Sequence, residues 1–202
     1  KRLPPSIFGF ITGGGIKMKI FPSSMLNLEQ IICDELNKGS IIAYPTDTIY
    51  GIGCDASNNH AIERINLIKG RSAPMSIAVS GIDMIQDKLI INNLNQVTEI
   101  LKDGSTCILQ EKPGAFSSLI TKDGNIGFRV PQHQLLQSII QLFGRPITTT
   151  SINRTGTAPL ISPLKIQKEF REVIDVLIDD GEINNGASKI YFYKNNGFER
   201  IR

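Results

Sequence analysis

The chain has 202 residues, 41% hydrophobic and 20% charged, with a net charge of +3. At roughly 100–200 residues per domain this length suits one domain, with or without a tail, and the composition excludes a disordered chain. No apolar run approaches the roughly 18–20 residues of a membrane span, and the charge falls far short of the basic stripe of a nucleic-acid binder.

Residues 1–17 carry Pro4-Pro5 and Gly13-Gly14-Gly15 around short apolar stretches, with no small-residue cleavage site. They are read as an N-terminal extension, with Met18 a plausible natural start and 18–202 as the domain. Residues 24–37 then place Met25, Leu28, Ile31, Ile32 and Leu36 at helical spacing, closed by Gly39. Ile41 to Tyr44 is a short buried strand stopped by Pro45. Asn58 to Lys69 is a helix with Ala61, Ile62, Ile65 and Ile68 on one stripe and Gly70 after it. Met75 to Val79 reads as a strand, 81–90 and 93–102 as helices, and Thr106 to Gln110 and Ile126 to Val130 as strands. His133 to Phe143 is a helix ended by Gly144, and Ile147 to Thr150 a β-branched strand. Ser162-Pro163 supplies an N-cap and a first helical residue for a helix to about residue 171. Val173 to Ile178 is a strand, and Ile190 to Tyr193 with Phe198 to Ile201 form a hairpin around Asn195-Asn196-Gly197.

Alternating βα units with a terminal hairpin predict one α/β domain, with α+β character, built on a mixed sheet. The 33 Ile against 8 Ala fit a sheet-built core, since Ile is β-branched. Base composition of the genome is the competing explanation for that excess.

Four clusters carry possible chemistry. The first is Tyr44-Pro45-Thr46-Asp47-Thr48-Ile49-Tyr50-Gly51, where hydroxyls, a carboxylate and a glycine leave the carboxyl end of a strand together. Open α/β sheets bind ligands there, although a polar turn has the same composition. The second is Lys69-Gly70-Arg71 at a helix end, suited to a polyphosphate or simply to the helix dipole. The third is Arg129, on an otherwise apolar strand, which needs solvent, a carboxylate or an anionic ligand. The fourth is Ser151-Ile152-Asn153, neutral donors and acceptors that fit a nucleotide or a turn equally.

His60 and His133 lie in none of these clusters, so no nucleophile–His–acid arrangement is expected. Cys33, Cys54 and Cys107 are odd in number and lack metal-ligand spacing, which fits reduced thiols in a cytoplasmic setting.

In order, these clusters resemble the YrdC-like family of threonylcarbamoyl-adenylate synthases, of the short single-domain kind. The resemblance is carried by Gly39 to Ala56, Ile68 to Arg71, Phe128 to Pro131, Pro146 to Gly156, Asp175 to Gly181, Ser188 and Ile201-Arg202. It implies an open, twisted mixed sheet with helices around a large basic cavity. It also implies formation of L-threonylcarbamoyladenylate from L-threonine, bicarbonate and ATP with release of pyrophosphate, for transfer by other proteins to a tRNA adenosine next to the anticodon. By this resemblance Thr46, Arg129 and Ser188 hold threonine, and Lys69, Arg71, Ser151, Asn153 and Arg202 hold ATP, with Mg2+ arriving on the phosphates and no protein ligand assigned to it. An RNA-binding module of the same fold without turnover, contacting tRNA or double-stranded RNA, is the alternative. A relative that makes another acyl or carbamoyl adenylate is a third possibility.

The chain departs from the family pattern at several points. The spacer Ser72-Ala73-Pro74-Met75 is short, and Ala78 stands near the position of a usual His. Leu101 to Thr106 replaces a Trp-Pro-Gly-Pro-Thr segment. Asn125 replaces a Thr, and Ser188-Lys189 replaces Ser-Thr.

Overall fold

A computed structural model describes residues 18–70, 74–194 and 197–202. The extension read at 1–17, the cation Arg71 and the turn residues Asn195-Asn196 lie outside the described residues.

The strands are β1 (Lys19–Pro22), β2 (Ile42–Tyr44), β3 (Gly51–Gly53), β4 (Ser76–Ala78), β5 (Thr106–Gln110), β6 (Asn125–Arg129), β7 (Ile147–Ser151), β8 (Val176–Asp179), β9 (Ile190–Lys194) and β10 (Gly197–Arg200). The helices are α1 (Leu28–Asn37), α2 (Asn59–Lys69), α3 (Leu94–Leu101), α4 (Gln134–Phe143) and α5 (Pro163–Phe170). Within the described residues the strands form one mixed sheet in the order β1-β8-β2-β3-β7-β4-β6-β5-β9-β10. The pairs β1/β8, β2/β8, β4/β6 and β5/β9 are parallel and the other five antiparallel. The expected mixed α/β sheet is thus present.

Strand alternation sorts the core into two layers. Ile42 and Tyr44 of β2, with Val176 and Ile178 of β8, pack against Leu28, Ile32 and Leu36 of α1 and Ile139, Ile140 and Phe143 of α4. Their neighbours Ala43 and Leu177 turn to the opposite face, which α2, α3 and α5 cover with Ile62, Ile65, Val97, Leu101, Ile166 and Phe170. No helix among the described residues is long and apolar enough to cross a membrane.

Local signals set most element ends. The Asn58 side chain accepts the Ala61 N–H at 3.0 Å and caps α2, and Gly70 closes it with φ +66°. Pro163 takes the first position of α5, but the Ser162 side chain makes no cap bond. Four expectations need correction. Residues 81–90 form two short 3₁₀ turns, at 82–84 and 86–88, in place of a helix. Leu89 there bridges to Glu111 and the Ile90 N–H donates to Gln110, so pairing beside β5 competes with the helix. The first helix begins only at Leu28, because Asn27 takes a left-handed conformation, φ +58°. The strand expected from Val173 begins at Val176, because Val173 and Ile174 still donate to Phe170 as α5 closes. Finally, β1 and β3 lack an expected counterpart.

Candidate functional site

The loop from β2 to β3 is built around one hydroxyl. Thr46 Oγ1 donates to the Ile49 carbonyl at 2.6 Å and accepts the N–H groups of Thr48 and Ile49 at 3.1 and 3.2 Å. This turn returns the chain as β3, whose glycines permit close approach. A Cβ on Gly53 would stand 1.9 Å from the Thr148 carbonyl oxygen, and one on Gly51 would stand 2.9 Å from the Tyr44 ring.

Beside this loop lies a cavity of about 260 Å³, just under the usual size of roughly 300–1,000 Å³ for small-molecule sites. Its walls include Thr46, Thr48 and Tyr50 from the loop, Ser76 of β4, Thr106 of β5, Arg129 of β6 and Thr149, Thr150 and Ser151 of β7. Ala187 and Ser188, from the segment before β9, and Arg202 complete it. Among the described residues the lining is rich in hydroxyls, holds two guanidiniums and includes no acidic side chain. Partial burial, and then the like charge of Arg129, hold the Arg202 guanidinium below its usual range. Two cations sharing a hydroxyl-lined hollow suit an anionic ligand.

Arg129 is buried, with 6% of its surface exposed. Its Nη2 donates to both Asp47 oxygens at 2.7 and 2.8 Å, and its Nη1 donates to Thr48 Oγ1 at 3.2 Å. Its Nε is buried without a hydrogen-bond partner. Of the alternatives open for this arginine, a carboxylate partner is present, and the Nε–H is left without one.

Arg202 Nε donates to the Ser188 carbonyl at 3.0 Å, and the Thr106 and Ser188 hydroxyls lie 3.3 Å apart. Tyr50 joins the floor to the segment after β8. Its hydroxyl donates to the Gly181 carbonyl and accepts the Asp180 N–H, each at 2.9 Å, and burial pushes its phenol up to about 12, so it stays neutral.

Five of the eight expected site residues therefore line one cavity: Thr46, Arg129, Ser188, Ser151 and Arg202. Lys69 and Asn153 stand behind that wall. Buried Lys69 Nζ donates to the carbonyls of Ser151 and Asn153 and to Asn153 Oδ1, the last at 2.9 Å, and Ser151 Oγ donates to the same Oδ1 at 2.7 Å. The lysine thus ties down the turn that presents Ser151. Arg71 lies outside the described residues.

Sequence reasoning missed Thr106, Ser76 and the role of Asp47. Thr106 pairs in register with Arg129 across β5 and β6, so strand pairing holds the signal that an isolated Thr does not. His133 sits at the N-cap position of α4, with Nε2 3.1 Å from Asp180 Oδ2, and His60 is exposed. Among the described residues no group of three or more His, Cys, Asp or Glu is placed to hold a metal ion. Hydroxyls and guanidiniums do not suit a cation held by protein alone.

Comparison with known proteins supplies the family. Residues 34–202 match the Sua5/YciO/YrdC family model, described as telomere recombination. The chain is 30% identical over 172 residues to the threonylcarbamoyl-AMP synthase of Photobacterium profundum, covering 77% of this chain and 87% of that one. It is 32% identical over 165 residues to the threonylcarbamoyl-AMP synthase of Bos taurus, covering 76% of this chain and 56% of that one. The fold resembles P. abyssi Sua5 complexed with L-threonine, with a TM-score of 0.81 and 23% identity, over 92% of this chain and 56% of that one. The chain thus spans about half the length of the bovine and P. abyssi proteins. The curated relatives bear the name of an enzyme, and with the match running from α1 to the last residue, this chain belongs to the Sua5/YciO/YrdC family.

Proposed function

We propose that this enzyme forms L-threonylcarbamoyladenylate from L-threonine, bicarbonate and ATP. The supporting observation is the buried Arg129, with its spare Nε donor, in a hydroxyl-lined cavity that also holds Arg202. In this reading Arg129 receives the threonine carboxylate, with Thr46 and Ser188 beside it. Arg202, Ser151 and Arg71 bind the nucleotide, while Lys69 and Asn153 hold the Ser151 turn against it. Threonine's amine joins bicarbonate with loss of water, and the resulting carbamate oxygen attacks the α-phosphorus as pyrophosphate leaves. Such a step needs two anions aligned and their charge neutralised more than it needs a protein nucleophile. Mg2+ enters as part of the ATP substrate.

The product's consumers are proteins that pass the threonylcarbamoyl group to a tRNA adenosine beside the anticodon, and the setting is cytoplasmic. The test is pyrophosphate release from ATP. Release that requires threonine and bicarbonate together supports the reading, and release indifferent to threonine overturns it. Salt-dependent RNA binding without threonine-dependent turnover would make the chain an RNA-binding module instead. Turnover with a different amine would make it the synthase of another carbamoyl adenylate.

A further inference from the structure

The geometry points to Asp47 as the positioning residue that fixes the Arg129 guanidinium for a carboxylate ligand; the ligand's identity rests on the function proposed above. Both Asp47 oxygens receive Arg129 Nη2, and Oδ1 also accepts the Gln132 N–H at 3.1 Å. That third bond ties the carboxylate to the turn after β6, so it does not simply follow the arginine. Gly104 closes the other side: a Cβ there would stand 2.5 Å from Asp47 Oδ2 and 3.3 Å from Arg129 Nη2. The ion pair is therefore held by a loop, a strand end, a turn and a glycine contact at once.

The Asp47 backbone also holds the segment before β9. Asn185 Nδ2 donates to the Asp47 carbonyl at 3.0 Å, and the Asn185 N–H donates to the Thr48 carbonyl at 2.9 Å. Asn185 lies three residues before Ser188, so the Asp47 backbone also anchors the segment that brings Ser188 into the cavity lining. Asp47 itself is not in the cavity lining. It acts through Arg129, whose Nε is left buried without a protein partner. A charged group held rigidly by polar neighbours binds its counter-ion without first having to be ordered.

Two measurements on the full chain test this. In the first, 15N–1H NMR follows the Arg129 Nε–H, assigned by its loss in Arg129→Lys. The wild-type signal should be rigid and Asp47→Asn should make it mobile, read at a temperature where the variant is still folded. An unchanged signal in Asp47→Asn overturns the proposal whatever the enzyme's activity. In the second, threonine and ATP are titrated separately in the pyrophosphate assay. Asp47→Asn should raise the threonine concentration for half-maximal rate about tenfold while shifting the ATP requirement far less. Asp47→Glu should recover part of the loss, and adding Asp47→Asn to Arg129→Ala should change nothing further. Equal shifts for threonine and ATP, or independent losses in the double variant, overturn the proposal. A wild type indifferent to threonine overturns the proposed function instead, and the NMR measurement still decides Asp47.

Discussion

The two ends of β2 each carry a carboxylate–guanidinium pair, and the pairs differ. At the entry end Asp175 Oδ2 accepts the Ile41 N–H at 2.7 Å, while Arg64 Nη2 donates to both Asp175 oxygens at 3.0 and 3.1 Å and Nη1 donates to the Gly39 carbonyl at 3.4 Å. That cluster joins β2, α2 and the chain entering β8, away from the cavity lining. At the exit end Asp47 and Arg129 make a similar pair but leave a buried donor unused. A fold built for stability alone satisfies its buried donors. The first pair closes a joint, and the second keeps capacity for something that arrives.

Breaking each pair should separate the roles. The largest effect is expected for Arg129→Ala, which should raise the threonine requirement of pyrophosphate release about 100-fold, with a smaller change for ATP. Asp175→Ala should do the opposite. Chemical denaturation should show a loss of about 2–3 kcal/mol, because the Ile41 N–H and a partly buried guanidinium lose their acceptor, while the threonine requirement of the folded enzyme stays unchanged. If both variants altered threonine use alike, the contrast between the two ends of β2 would fail.

Lys69→Met sharpens the comparison from a third side. Loosening the Ser151–Asn153 turn should raise the ATP requirement about tenfold and leave the threonine requirement nearly unchanged, as substrate titration would show.

Acid supplies a control remote from the cavity. Burial works against the Glu35 charge, but hydrogen bonds from Lys19, Lys38 and Ser40 outweigh it and hold the carboxyl at about 2, below its ordinary 4.5. This depressed group stabilises the fold fully above pH 4.5 and loses that contribution as pH falls towards about 2. Glu35→Gln should therefore flatten the fall in melting temperature across that window. The smallest effect is expected at Thr106→Val, about a threefold rise in the threonine requirement, since its hydroxyl meets only Ser188 at 3.3 Å among the bonds described.

The α-helices were legible from an apolar stripe with a terminator, as in α2 with Ala61 to Ile68 followed by Gly70, or from a start signal, as in α5 with Ser162-Pro163. β3 was not, because Gly51-Ile52-Gly53 announces itself by missing side chains, and only the nearby Thr148 carbonyl and Tyr44 ring show why they are missing. β1 was not, because its Lys19, Ile20 and Pro22 are exposed and only Phe21 is partly covered, so no alternation reaches the sequence. At the site, Thr46 and Arg129 stood out from their local setting. Their link through Asp47, and Lys69's hold on the Ser151 turn, join residues more than 80 positions apart and become visible only once the strands pair.

The thiols carry a practical consequence. Cys33, Cys54 and Cys107 are the chain's three cysteines, all free and buried. Burial pushes Cys54 and Cys107 up to about 12 and raises Cys33 as well, so little reactive thiolate exists at neutral pH. This chain therefore offers alkylating dyes almost no background. A fluorophore attached through Ala187→Cys would stand alone on the cavity wall and report ligand arrival as a change in emission, without any native cysteine having to be removed.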